Sequence, residues 1–238
     1  MNITCIKVII RHDQRALVNP IAGYYVRMMP RTPRITDSAI PAPARDLCFA
    51  FADTRSWRGT PRPADELQTI EDILAWIGRE TGISHGLFEA ARARWTRHPA
   101  EAAEAFLAAI ALREAIYRMF SNVAEETAPR AEDLAELNAA LAAAPSRSRL
   151  VPAGTGHAWQ AASVEPALPL LLAGVIWSAA DLLAQPPPGR IRRCANEKCL
   201  WLFLDDSKSG NRRWCAMSAC GNRAKAHRHY LRQKLPAG

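Results

Sequence analysis

Four cysteines toward the end of the chain, Cys194, Cys199, Cys215 and Cys220, stand in a C-x4-C-x15-C-x4-C pattern. A tetrahedral metal site needs two close pairs joined by a loop: each pair supplies half of the coordination shell, and the loop folds back to join them. Four thiolates suit Zn2+ and close its shell, which leaves no position for a water and makes the metal structural rather than catalytic. A module of about fifty residues builds little hydrophobic core, and one structural zinc contributes roughly 10–16 kcal/mol of coupled folding free energy to it. The same thiols could form two disulfides, stay unrelated, or hold an iron–sulfur cluster. Symmetric pairs and a reducing compartment favour zinc. Of the remaining cysteines, Cys48 lies among apolar residues and reads as a small buried hydrophobe, whereas Cys5 has no evident role.

The second chemistry is cationic. The 238 residues carry 31 Lys and Arg against 23 Asp and Glu, a net charge of +8, but unevenly: +5 over residues 1–45, −6 over 46–188 and +9 over 189–238. A block that basic on an acidic body reads as a polyanion-binding module. Binding four thiolates to one Zn2+ lowers it to about +7, since zinc with four thiolates carries about −2. Inside the block, residues 200–204 read as an apolar strand and 205–210 as a turn, with Trp201, Phe203 and Trp214 as a small core. Asn222 offers an N-cap for a helix from Arg223 to Lys234. Lys225, Arg228, His229 and Arg232 then fall at i, i+3, i+4 and i+7 on one face, where like charges cost helix stability unless phosphates neutralise them. The candidate nucleic-acid contacts are Arg212, Arg213, Asn222, Arg223, Lys225, Arg228 and Arg232, with Asn222 or Arg223 fixing where the helix starts. A solvated basic tail is the plain alternative.

These residues need a frame, and an apolar fraction of 49% supplies enough surface for a real core. That excludes collagen-like, mucin-like and wholly disordered chains. Residues 1–44 hold five prolines and no sustained periodicity, and read as a disordered basic arm, an untranslated or non-essential extension with Met28 or Met29 as a later start. Order is expected from about Asp46. Leu47, Phe49 and Phe51 fit a strand or a short helix. Helices follow at about 65–79, with Gly82 at its C-terminal cap, from the N-cap Ser84 to Trp95, over 99–128 and over 131–144. Phe106, Ile110, Tyr117 and Phe120 make the stripe of the third, and Leu134, Leu137 and Leu141 that of the fourth. Residues 149–151 and 158–161 suggest a hairpin, 167–184 a buried apolar helix, and Pro186 to Gly189 a stiff boundary. Lys7 interrupts the apolar run Ile3 to Ile10, and the run Ala167 to Ala180 is too short to span a bilayer, so no membrane association and a cytoplasmic location are expected.

In the body, Asp53, Arg55, Trp57 and Arg58 could line a pocket for a small-molecule effector, or simply anchor their loop. No G-x-S-x-G, H-E-x-x-H or G-x-x-x-x-G-K-[ST] occurs, and the chain is not expected to be an enzyme.

The segment from Cys194 to Tyr230, CANEKCLWLFLDDSKSGNRRWCAMSACGNRAKAHRHY, resembles the CGNR zinc-finger family and includes its name-giving Cys220-Gly221-Asn222-Arg223. The preceding body, with Phe51-Ala52-Asp53-Thr54, Trp57-Arg58-Gly59 and Leu112-Arg113-Glu114-Ala115-Ile116-Tyr117, is similar to the all-helical ABATE domain that accompanies this finger. It departs from that domain's motif at Asp53, where Asn is usual. The resemblance covers roughly residues 46–234. It implies a bacterial, stress-responsive transcription regulator with four cysteine zinc ligands and nucleic-acid binding through the finger.

The expected fold is therefore mainly α: an all-helical ABATE-like domain over 45–185, then a four-cysteine zinc finger over 189–236 with a short β piece and a basic C-terminal helix. The expected function is zinc-dependent DNA binding in transcription regulation, with the body sensing an effector or forming a homodimer. The alternatives are a protein-interaction module and an RNA-binding module that stacks single strands on aromatics.

Overall fold

The computed structural model describes residues 38–163 and 165–234. The arm over 1–37 and the alternative starts at Met28 or Met29 lie outside the described residues. In chain order the elements are β1 (Ala39–Pro41), α1 (Leu47–Ala52), β2 (Arg55–Ser56), β3 (Ala64–Asp65), α2 (Ile70–Glu80), α3 (His85–Arg97), α4 (Pro99–Ala124) and α5 (Ala131–Ala143). Then come β4 (Leu150–Ala153), β5 (Gly156–Gln160), α6 (Leu168–Leu171), α7 (Ala173–Ala184), β6 (Ile191–Arg193), β7 (Leu202–Leu204), a π-helical turn (Met217–Gly221) and α8 (Asn222–Lys234).

Helix starts follow local chemistry. Thr69 and Asp72 form a reciprocal capping box, which delays α2 to Ile70 from the expected residue 65. Ser84 accepts the Leu87 N–H at 3.1 Å and caps α3. The Ala-rich α4 is the central element and packs against α1, α2, α3 and α5. Its buried face is Ala109, Leu112, Ala115, Ile116, Met119 and Phe120, rotated from the expected stripe, of which Phe120 alone is fully buried. Ala109 and Ala115 on that face let neighbouring helices approach closely, while Leu112, Ile116, Met119 and Phe120 fill the core between them. Phe120 meets Phe49 edge to face with ring centroids 4.9 Å apart. The apolar α7 is buried nearly all round, and its Ser178 hydroxyl accepts the N–H of Cys48 at 3.1 Å. Cys48 is fully enclosed, and burial pushes its thiol up to about 12, as suits an inert core residue.

Three expectations are corrected. Order begins before Asp46, because β1 pairs antiparallel with β5 and buries Ala39 and Ile40. The body is not all-helical: β1, β5 and β4 make a three-stranded sheet that includes the expected hairpin, and β2 pairs with β3. The third helix stops at Ala124, where Glu126 turns left-handed and Asn122 O accepts the Thr127 N–H at 2.8 Å. The molecule remains mainly α.

Beyond α7 the β6–β7 hairpin does not stand apart. Ile191, Leu202 and Leu204 join the same buried cluster as α1, α4 and α7. Among the described residues no helix is long and apolar enough to cross a membrane.

Candidate metal centre

The four cysteines converge. All their Sγ atoms lie within 4.8 Å of one another, with Cys199 to Cys215 at 3.8 Å and Cys215 to Cys220 at 3.9 Å. A tetrahedron with Zn–S bonds of about 2.3 Å has edges of about 3.8 Å. A disulfide needs sulfurs at about 2.05 Å, so these are thiols gathered around a common centre. Cys194, Cys199 and Cys220 are buried and Cys215 is partly so.

Local backbone chemistry builds the two halves. In the first, the N–H groups of Cys199 and Leu200 donate to Asn196 O at 2.8 and 3.2 Å, and Leu200 adopts a left-handed φ of 60° that turns the chain away from the metal. In the second, the π turn carries Cys220 back toward Cys215, closed by Gly221 N–H to Ala216 O at 3.1 Å. Cys194 N–H donates to Trp201 O and Ala195 N–H to Arg213 O, both at 2.8 Å, which ties the halves together. The Asn196 amide donates to Cys220 Sγ at 3.4 Å, an outer contact that stabilises a thiolate. Hydrogen bonds from its neighbours pull the Cys199 thiol down to about 5, while hydrogen bonding to that sulfur and burial push Cys215 up. Crowded sulfurs cannot all ionise without a cation; a divalent metal at their centre deprotonates the set.

Phe203, Trp57, Trp201 and Trp214 pack around the sulfurs. In the loop after β7, Asp205 is fully buried and accepts from Ser207 N–H at 3.1 Å, Ser207 Oγ at 2.5 Å and Arg212 N–H at 2.7 Å. Those bonds pull its carboxyl down to about 2 and fix the loop between β7 and Cys215. Asn196 and Asp205 were not among the expected site residues, although a short Asx residue inside a knuckle and another at a turn are the signals that could have found them.

The cationic residues divide. Arg212 is spent internally: its Nε donates to Trp214 O at 3.1 Å, its Nη2 to Cys215 O, and its guanidinium covers Phe203 at 4.6 Å. Arg213 is exposed and covers Trp214 at 5.3 Å. Asn222 is not an N-cap. With φ −68° and ψ −38° it continues the π turn directly into α8, and its amide donates to Ser218 O at 3.3 Å. Arg223 lies over the Trp57 ring at 4.6 Å. Lys225 and Arg232 are exposed on α8. Arg228 shares that helix, and its backbone alone is described. A cleft of about 370 Å3 between the end of α4 and the finger is lined by Arg192, Arg193, Arg212 and Arg213. Arg193 pairs with Glu125 and Arg192 with Gly210 O and Asp205, so among the described residues it is Arg213, of the four, that brings to the cleft a charge without an ion pair or hydrogen bond.

For Asp53, Arg55, Trp57 and Arg58, expected to line an effector pocket or to anchor their loop, the structure shows anchoring contacts, and Asp53 and Trp57 also meet the finger. Asp53 Oδ1 accepts the Leu202 N–H at 3.1 Å. Arg58 points inward, donating to Glu114 Oε2 at 2.7 Å and Ala52 O at 2.9 Å while covering Tyr117 at 3.8 Å. Arg55 reaches Glu114 at 3.7 Å, and Arg113, almost fully buried, grips Asp65 with two bonds of 2.6 and 2.7 Å. Burial raises the Asp53 carboxyl well above its ordinary range, against the Leu202 N–H and the Arg58 charge. Asp53 and Arg58 thus meet groups of the body and the finger, while Arg58 Nε is buried without a hydrogen-bond partner among the described residues. The Tyr117 hydroxyl donates to Leu200 O at 3.0 Å, and Gly59 N–H to Lys198 O at 3.3 Å.

A helical body that seats a four-cysteine knuckle through shared core and hydrogen bonds defines a zinc-finger protein with one structural zinc, held by Cys194, Cys199, Cys215 and Cys220. The chain belongs to the ABATE family, described as "Putative stress-induced transcription regulator", whose model matches residues 45–186, and it carries the CGNR zinc finger over residues 190–233. No curated protein matches the chain.

Proposed function

We propose that the protein is a transcription regulator that binds duplex DNA through the zinc-rooted helix α8. The observation that carries this is a set of exposed cations, Arg213, Lys225 and Arg232, on and beside a helix that starts at the metal site, with no ion pair to any of them among the described residues. Charges without ionic partners are what a phosphate backbone neutralises. The family description supports a regulatory role. Duplex is favoured over single strands because Trp57, Trp201 and Phe203 are committed to packing around the sulfurs, which removes them as stacking platforms. The body would supply the regulatory input, through a homodimer or a small ligand. On this reading the protein works in the cytoplasm and is not an enzyme.

The test is duplex binding by the full, zinc-replete chain across salt concentrations. Binding at low salt should weaken steeply as salt rises, and Lys225→Ala with Arg232→Ala should flatten the log–log slope by about 0.9 per lost phosphate contact. Absence of duplex binding at low salt with zinc bound overturns the proposal. Salt-insensitive capture of a protein would favour an interaction module, and preference for single-stranded RNA would favour the RNA reading.

A further inference from the structure

We infer that Trp57, a residue of the helical body, is the positioning residue for α8, a role that rests on the proposed use of that helix for DNA. From Lys225 onward the described side chains of α8 are exposed, so the direction of the helix is decided at its root. Three features hold that root: the π turn, the Asn222 amide on Ser218 O, and the guanidinium of Arg223 stacked 4.6 Å from the Trp57 ring centroid. The first two belong to the finger. The third reaches across to the body, and among the described residues the Arg223 side chain makes no ion pair or hydrogen bond beside it.

Trp57 is held for this task. Its φ of 57° is left-handed, a conformation that costs a non-glycine residue roughly 1–2 kcal/mol and persists only where its surroundings enforce it. The enforcing contacts are explicit. Trp57 O accepts both the N–H and the hydroxyl of Thr60, at 3.0 and 2.8 Å, and Gly59 presses against the Glu197 carbonyl. So locked, the indole packs against the cluster of Cys194, Cys199, Phe203 and Cys220 while Arg223 covers the ring. The adjacent Arg58 ties the same loop to Glu114 on α4. The orientation of α8 is thereby referenced to α4, and a finger cut away from the body keeps its ligands but loses this reference.

The experiment compares the full zinc-replete chain with Trp57→Leu, which keeps apolar packing without a π face, and Trp57→Phe, which keeps the face. Amide hydrogen exchange over residues 223–227 should accelerate about two- to fivefold in Trp57→Leu, remain near the parent rate in Trp57→Phe, and stay unchanged over 194–204 in both. Duplex affinity should fall about two- to fivefold in Trp57→Leu and recover in Trp57→Phe. Parent-like exchange in Trp57→Leu with one zinc per chain overturns the inference. If Trp57→Leu fails to hold zinc, Arg223→Met decides, since it removes the cation from the other side: faster exchange over 223–227 supports the inference and parent-like exchange overturns it. Should the parent fail to bind duplex, the DNA reading falls while exchange still judges the positioning.

Discussion

Asp53 Oδ1 accepts the backbone N–H of Leu202 at 3.1 Å, joining the loop after α1 to the first residue of β7. Two residues earlier in the finger, Leu200 O takes the Tyr117 hydroxyl from α4. Side chains of the body thus serve backbone groups of the zinc module that its own two-stranded sheet leaves unpaired. Ile191, Leu202 and Leu204 complete the contact from the apolar side, each worth roughly 1.5–3 kcal/mol when fully buried. The finger and body share one core.

The Asp53 bond carries a pH signature. Its folded carboxyl is raised above the ordinary value, so its stabilising contribution is full below about pH 4 and is lost as pH rises through the raised folded value. Asp53→Asn keeps an oxygen acceptor for Leu202 without the buried charge. The variant should therefore melt higher than the parent at pH 7, and the gap should close as pH falls toward 4. A gap independent of pH in calorimetry would contradict the assignment.

Gly59 marks a close approach in the seam. A Cβ built there meets the Glu197 carbonyl oxygen at 1.7 Å, and that backbone oxygen cannot swing aside as a flexible side-chain end could. Gly59→Ala should destabilise the chain by about 1–3 kcal/mol, the usual cost of overpacking, with zinc content unchanged. Denaturant titration and metal quantification on the same sample check both halves.

Removing the metal should reach beyond the finger. Cys194→Ser or chelation should release the zinc, and because the hairpin's three apolar side chains belong to the common core, the melting temperature of the body should fall too, by at least about 10 °C. A body that melts as before while the finger unfolds would show the two to be independent.

Arg212 and Arg213 are neighbours with opposite expected behaviour. Arg212→Ala loses charge-assisted bonds to Trp214 O and Cys215 O beside a metal ligand and should cost about 2 kcal/mol of stability. Arg213→Ala should leave stability within about 0.5 kcal/mol and lower the salt slope of duplex binding by about 0.9. Thermal melts paired with salt titrations of both variants separate the two roles.

Local and periodic features were legible in the sequence: the paired cysteines, the N-cap at Ser84, the apolar α7, the basic run of α8 and the hairpin around Gly154 and Gly156. These depend on neighbours within a few turns or on strongly biased composition. Strand β1 was not legible, because three residues show no periodicity and their partner on β5 lies far along the chain. Nor was the helical start at Asn222, since an Asn before a helix signals a cap unless a π turn already precedes it.

By itself, then, the sequence determined that four cysteines stand in two close pairs suited to one zinc and that the largest block of positive charge surrounds them, because ligand identity, spacing and charge are properties of the residues themselves. Tertiary structure decided which of those charges are free and what Asp53, Trp57 and Arg58 do. An arginine spent on a carbonyl, such as Arg212, and one left to solvent, such as Arg213, have the same side chain. What separates them is which backbone atoms the fold brings within about 3 Å, and that depends on long-range packing.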